Sequence, residues 1–86
     1  MRYLRWSERD IDGIVSLGLA SIWTEVDADG HVVREIGFDA NGLSIFRAPT
    51  AERERGLFDN ATVALERHDK NELEPALFEE AWHRLT

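Results

Sequence analysis

Between Ile22 and Ala48 the chain alternates apolar and polar residues in three runs, broken at Asp27-Ala28-Asp29-Gly30 and at Ala40-Asn41-Gly42. Asp-Gly and Asn-Gly between apolar alternations are strong hairpin signals, because Gly and Asn accept positive φ at little cost. Three strands joined by two tight turns make an antiparallel β-meander. The remaining segments must pack around it.

The expected strands follow from alternation. In the first, Arg2 to Trp6, Leu4 and Trp6 face one way and Tyr3 and Arg5 the other. In the second, Ala20 to Val26, Ile22, Thr24 and Val26 oppose Trp23 and Glu25. In the third, Val32, Arg34, Ile36 and Phe38 oppose Val33, Glu35 and Gly37. In the fourth, Leu43 and Ile45 oppose Ser44, Phe46 and Ala48, and Pro49 ends the run because it lacks an amide hydrogen. Ser7 to Asp12 is polar and turn-like. Gly13 to Leu19 reads equally as a buried loop or as the lead-in to the second strand.

Further on, Thr50 is placed to cap a helical turn that Gly56 stops, and Asn60 to His68 has the spacing of a short helix. The last segment is the clearest helix. Pro75 suits the first helical position, and Leu77, Phe78, Ala81, Trp82 and Leu85 form one apolar stripe. Glu74, Glu79 and Glu80 lie toward the positive end of its dipole and Arg84 toward the negative end.

At 86 residues the chain is expected to be one domain, 1–86. It has no cysteine, which excludes disulfides, thiolate metal sites and cysteine nucleophiles. No apolar run approaches the roughly 20 residues that span a bilayer. The charged start, Met1 to Asp10, lacks the apolar core of a secretion signal, so a cytoplasmic location is expected and Asn60-Ala61-Thr62 is read as a chance match to the glycosylation pattern. The net charge of −7 repels nucleic acid and favours solubility and basic partners.

Several residue patterns approach a known chemistry. Glu25-x-Asp27-x-Asp29-Gly30 nearly begins an EF-hand loop, but its twelfth position holds Ile36 where a bidentate Glu is required. Glu80-x-x-His83 is half of a di-metal unit that needs a second copy, and Glu79 with His83 supplies only two ligands. None of the four serines lies in a nucleophile elbow, His31 and His68 hold ordinary surface positions, and Gly13 and Gly18 have the wrong spacing for a phosphate loop. Arg2, Arg5 and Arg9 with Tyr3 and Trp6 make a basic–aromatic cluster of the kind that stacks single strands, but Glu8, Asp10 and Asp12 cancel its charge. In Glu52-Arg53-Glu54-Arg55 the charges likewise cancel, as on a solvated face. No cofactor, metal or catalytic residue is expected.

Thr24-Glu25-Val26-Asp27, Val33-Arg34-Glu35-Ile36, Asp39 to Gly42 and Phe78-Glu79-Glu80-Ala81-Trp82 occur in an order that resembles a family of small uncharacterised bacterial proteins, a domain of unknown function. The resemblance covers about three quarters of the chain and departs from the pattern at Ser7 to Leu19. It implies a meander ending in an acidic helix and implies no activity.

The expected fold is α+β: a three- or four-stranded antiparallel meander with the C-terminal helix across one face. Leu4, Trp6, Ile22, Val26, Ile36, Phe38, Ile45, Phe78, Ala81, Trp82 and Leu85 should dominate the core. The first functional reading is a non-enzymatic protein-binding module that masks a basic partner, as immunity proteins and antitoxins do. The alternatives are a small enzyme or ligand-binding domain with a carboxylate/His site, and single-strand nucleic-acid binding. With the helix over Ile22, Val26, Ile36, Phe38 and Ile45, the opposite face carries Trp23, Val33 and Phe46 beside Glu25, Glu35 and Ser44, a candidate contact patch for a partner or for self-association. The competing expectation is that Gly13 to Leu19 or Leu57 to Leu65 folds over that face and completes the core.

Overall fold

The computed structural model describes residues 1–11, 13–50, 56, 58 and 71–84. Strands β1 (Arg2–Ser7), β2 (Ser21–Val26), β3 (Val32–Phe38) and β4 (Ser44–Ala48) form one antiparallel sheet in the order β1-β2-β3-β4. Helix α1 (Pro75–Arg84) packs on it, with Pro75 at its first residue as the missing amide donor favours. The expected turn at 50–56, the helix at 60–68 and Leu85 fall outside the described residues, apart from Thr50 and Gly56.

Both hairpin turns are held by an aspartate. The amides of Asp29 and His31 donate to Asp27 Oδ1, and those of Asn41 and Leu43 to Asp39 Oδ1, all at 2.9 Å. Gly30 and Gly42 close the turns at φ 87° and 80°, in the left-handed region that a Cβ disfavours. Each loop is therefore a three-residue connection with glycine last, a longer turn than the Asp-Gly and Asn-Gly dipeptides alone specify.

Cross-strand register assigns the faces. Trp6 pairs with Ile22 and Ile22 with Gly37, which pairs with Phe46; Arg5 pairs with Trp23 and Trp23 with Ile36. The alternation within each strand matches expectation, but the grouping between strands does not: Ile22 and Val26 lie on the opposite face from Ile36 and Phe38. A register shift between Glu25 and Val26 also pairs Val32 with Val26, moving Val32 off the face of Ile36.

One face buries Leu4, Trp6, Ile22 and Val26 under Ile14 and Leu19, with Phe46 and Phe58 against them. The segment before β2 is thus an exposed loop pinned to this face by two buried side chains, Ile14 and Leu19. A 3₁₀ turn at Val15–Leu17 separates its two anchors, and Ala20 N donates to Phe38 O at the mouth of the sheet. The other face buries Ile36, Phe38, Leu73 and Phe78, with Tyr3, Trp23, Ala81 and Trp82 packed around them. Ile45, expected in the core, is 51% exposed. It sits in edge strand β4 beside a register shift at Gly37/Phe38, which leaves it out of the paired ladder. Leu77, expected in the helix stripe, is also exposed.

The outer edge of β1 is covered: Leu73 N donates to Tyr3 O at 2.7 Å and Asn71 Nδ2 to Arg5 O at 2.9 Å. Chain 71–73 thus delivers α1 to the sheet face beside Tyr3.

A Cβ added at Gly37 would press into the Phe46 ring and reach within 2.9 Å of Leu19 Cδ2. Gly37→Val should destabilise the fold by about 1–3 kcal/mol in urea unfolding. An unchanged midpoint would contradict the packing of Phe46 over Gly37.

Candidate functional site

The densest polar cluster lies between the sheet and α1. A hairpin places Glu25 of β2 opposite Arg34 of β3, and Tyr3 of β1 pairs with Glu25 from the other side. The three side chains share the helix-covered face because paired residues in a ladder point the same way.

Arg34 grips Glu25 with both arms of its guanidinium, Nε to Oε1 at 2.6 Å and Nη2 to Oε2 at 2.9 Å. The Tyr3 hydroxyl donates to Glu25 Oε2 at 2.7 Å. From α1, Glu79 joins Arg34 through Nη2, and His83 Nε2 lies 3.5 Å from Glu79 Oε2. Glu25 is only 6% exposed. A carboxylate so buried is tolerated because its charge and hydrogen-bonding capacity are met; among the described residues no buried side-chain nitrogen or oxygen lacks a partner.

Aromatic rings complete the cluster. The Arg34 guanidinium carbon stands 5.1 Å from the Phe78 ring centroid and 4.9 Å from that of Trp82. Arg47 lies 5.1 Å from the Trp82 centroid on its own account and donates from Nη1 to the Trp82 carbonyl at 2.9 Å. Trp82 is thereby held to β3 and β4 by two cations.

The electrostatics follow from these contacts. The Arg34 hydrogen bonds hold the Glu25 and Glu79 carboxyls below the ordinary value of 4.5, against the opposing effect of burial. The hydrogen bond to Glu25, then burial, pushes the Tyr3 phenol up to about 12. Arg34 is pinned further in its charged form, chiefly by Glu25. Each pKa is moved further from neutral pH, which holds every group in its resting protonation state. General acid–base work needs the reverse, a group whose pKa lies near the operating pH. The cluster acts as a clamp between helix and sheet.

Other sequence candidates are dispersed. Glu80 pairs with Arg84, so it does not join His83 as a metal-binding pair. His83 sits exposed on the outer flank of α1. In the N-terminal basic–aromatic cluster, Arg2 binds Glu72, Arg5 lies 5.4 Å from the Trp23 ring centroid, and Trp6 is buried, donating from Nε1 to Thr24 Oγ1 at 2.8 Å. Tyr3 and Trp6 are on different faces and do not form a shared stacking platform.

The three proposed contact residues are not brought together. Trp23 packs against Phe38 under the helix side, with ring centroids 4.5 Å apart, while Phe46 packs on the opposite face against Leu19 and Gly37. Val33 stands apart at the bulge, 41% exposed. On Phe46's face, Glu35 is a second buried carboxylate. It accepts from the Phe58 amide at 3.1 Å, with Gly56 pressed against it.

A cleft of about 400 Å³ opens elsewhere, between Ser7, Glu8, Arg9, Leu19, Ala20 and Ala40. A second, of about 290 Å³, lies beside Arg5, Asp10, Asn71 and Glu72. Neither is lined by the clamp residues. No helix among the described residues is long and apolar enough to cross a membrane. Comparison with known protein families, with curated proteins and with solved structures finds no match.

The clamp predicts a stability plateau bounded on both sides. Glu25 and Glu79 titrate lower folded than unfolded, so their contribution is complete above about pH 4.5 and is lost as pH falls through the folded values. Tyr3 titrates higher folded, so its contribution is complete below its ordinary 10.0 and is lost as pH rises toward about 12. Tyr3 is the chain's single tyrosine, so absorbance follows its ionisation directly. Tyr3→Phe should flatten the alkaline fall in urea-unfolding free energy. A wild-type tyrosine titrating at 10.0 would contradict the Glu25 contact.

Proposed function

We propose that this chain is a non-enzymatic, cytoplasmic protein-binding module whose acidic surface engages a basic partner, in the manner of immunity proteins and antitoxins. One observation supports the reading: among the described residues three arginines are already paired with carboxylates, while exposed carboxylates remain beside them. Arg34 serves Glu25 and Glu79, Arg2 serves Glu72, and Arg84 serves Glu80. The chain holds 17 acidic residues against 10 lysines and arginines. Exposed Glu8, Asp29 and Glu74 carry part of the surplus.

Apolar contact area is available beside that charge. Leu43 and Ile45 are exposed at and before edge strand β4, and Val33 is exposed at the β3 bulge. A surface of scattered apolar side chains among carboxylates suits a partner that brings lysine and arginine stems, which bury their methylenes while pairing their heads. The carboxylate/His enzyme reading has less support, because Glu25, Glu79 and Tyr3 are committed to the clamp.

A basic protein captured from the native host, then purified, should bind at about 50 mM salt and release at about 500 mM, where screening shortens to a few ångströms. Glu8→Gln with Glu74→Gln should weaken binding roughly fivefold if each contact contributes about 0.5 kcal/mol. Salt-independent binding, or no partner held at low salt, would contradict the reading.

A further inference from the structure

The two hairpin turns have one architecture and different side chains. In each, an aspartate Oδ1 accepts two amides at 2.9 Å, from Asp29 and His31 onto Asp27 and from Asn41 and Leu43 onto Asp39. The glycine amides return to Asp27 O and Asp39 O at 3.1 Å in both turns. The closing bonds are Asp27 N to His31 O at 3.0 Å and Asp39 N to Leu43 O at 2.9 Å. The second turn therefore acts as an internal control. The architecture requires aspartate first and glycine fourth, and it is satisfied by Asn41 and Leu43 at the third and fifth positions. At those positions the first turn carries Asp29 and His31, which the fold does not need.

What Asp29 and His31 add is donor atoms. One oxygen each of Asp27 and Asp29 and one ring nitrogen of His31 lie within 4.8 Å of one another. Asp27 divides its labour: Oδ1 holds the turn, while Oδ2 faces His31 Nδ1 at 3.8 Å.

We propose that Asp27, Asp29 and His31 form a binding site for one divalent transition-metal ion of the Zn²⁺ class. An imidazole nitrogen with two carboxylate oxygens suits borderline ions, whereas Ca²⁺ and Mg²⁺ take oxygen shells. Zinc bonds of about 2.0–2.2 Å place neighbouring tetrahedral donors about 3.4 Å apart. The Asp27–His31 pair at 3.8 Å needs only a small closure by side chains at a turn tip. Three protein donors leave a coordination position for water or for a donor from another molecule. The site is distinct from an EF-hand loop: Glu25 is held by Arg34 under the helix, and Ile36 is buried in the core.

The twin turn supplies the test. Titration calorimetry with ZnCl₂ at about pH 7.5 should give one equivalent bound to the wild type. Asp29→Asn with His31→Leu copies the second turn into the first, so the fold should be retained, as circular dichroism would verify, and affinity should fall at least tenfold. Asn41→Asp with Leu43→His copies the first turn into the second and should raise the stoichiometry to two. Proton NMR should place the wild-type zinc shift on the His31 ring. The proposal is overturned by no binding at millimolar Zn²⁺, by affinity unchanged in the first variant, or by a folded second variant that gains no equivalent.

Discussion

A carboxylate at 6% exposure cannot remain ionised there without a partner, and Glu25 is such a carboxylate. Its partner, Arg34, stands across the hairpin and offers two parallel hydrogen bonds, the geometry in which a guanidinium best compensates a buried carboxylate. The same arginine then reaches α1 through Glu79 and lies against Phe78 and Trp82. A helix of 10 residues is marginal in isolation, so α1 depends on what it meets in the sheet. It meets a fixed cation with an apolar surround. The ion pair thus links the hairpin register, the burial of Phe78 and the placement of the C-terminal segment.

The sheet is covered on both sides by unlike means. The helix and Leu73 close one face; Ile14, Leu19 and Phe58 close the other. This division explains why Trp23 and Phe46 do not form a bare patch: each ring is used by a different half of the core. Among the described residues the exposed large apolar side chains are scattered: Met1 at the start, Val15 and Leu17 on the 3₁₀ turn, Val33 at the bulge, Leu43 and Ile45 at and before β4, and Leu77 on α1. The outward surface is consequently a mixture of carboxylates and isolated apolar side chains.

Much of this architecture was legible in the residues. Asp29-Gly30 and Asn41-Gly42 marked both hairpins, and Pro75 with the Phe78–Trp82 stripe marked the helix. Alternation gave each strand its two sides. Which side of one strand joins which side of the next was not legible, because register depends on loop length and on bulges, and one-residue shifts exchange faces. The irregularity at Glu25/Val26 moved Val32, and that at Gly37/Phe38 left Ile45 outside the ladder. The clamp was hidden for a related reason. Tyr3, Glu25 and Arg34 looked like ordinary polar positions until the register set them side by side, and an opposite-charge pair flanking a hairpin was the available signal. The trio proposed to hold a metal was obscured because Asp27 and Asp29 belong with Glu25 to one loop pattern, while His31 reads as surface.

The claim on which the rest depends is that Glu25 and Arg34 stabilise the fold as a coupled pair. A double-mutant cycle of Glu25→Gln and Arg34→Met, read by urea unfolding at neutral pH, measures that coupling directly. The account predicts a favourable coupling of about 2 kcal/mol, so that the double variant loses about that much less than the sum of the two single losses. Additivity within about 0.3 kcal/mol would show that the two residues act independently and would contradict it.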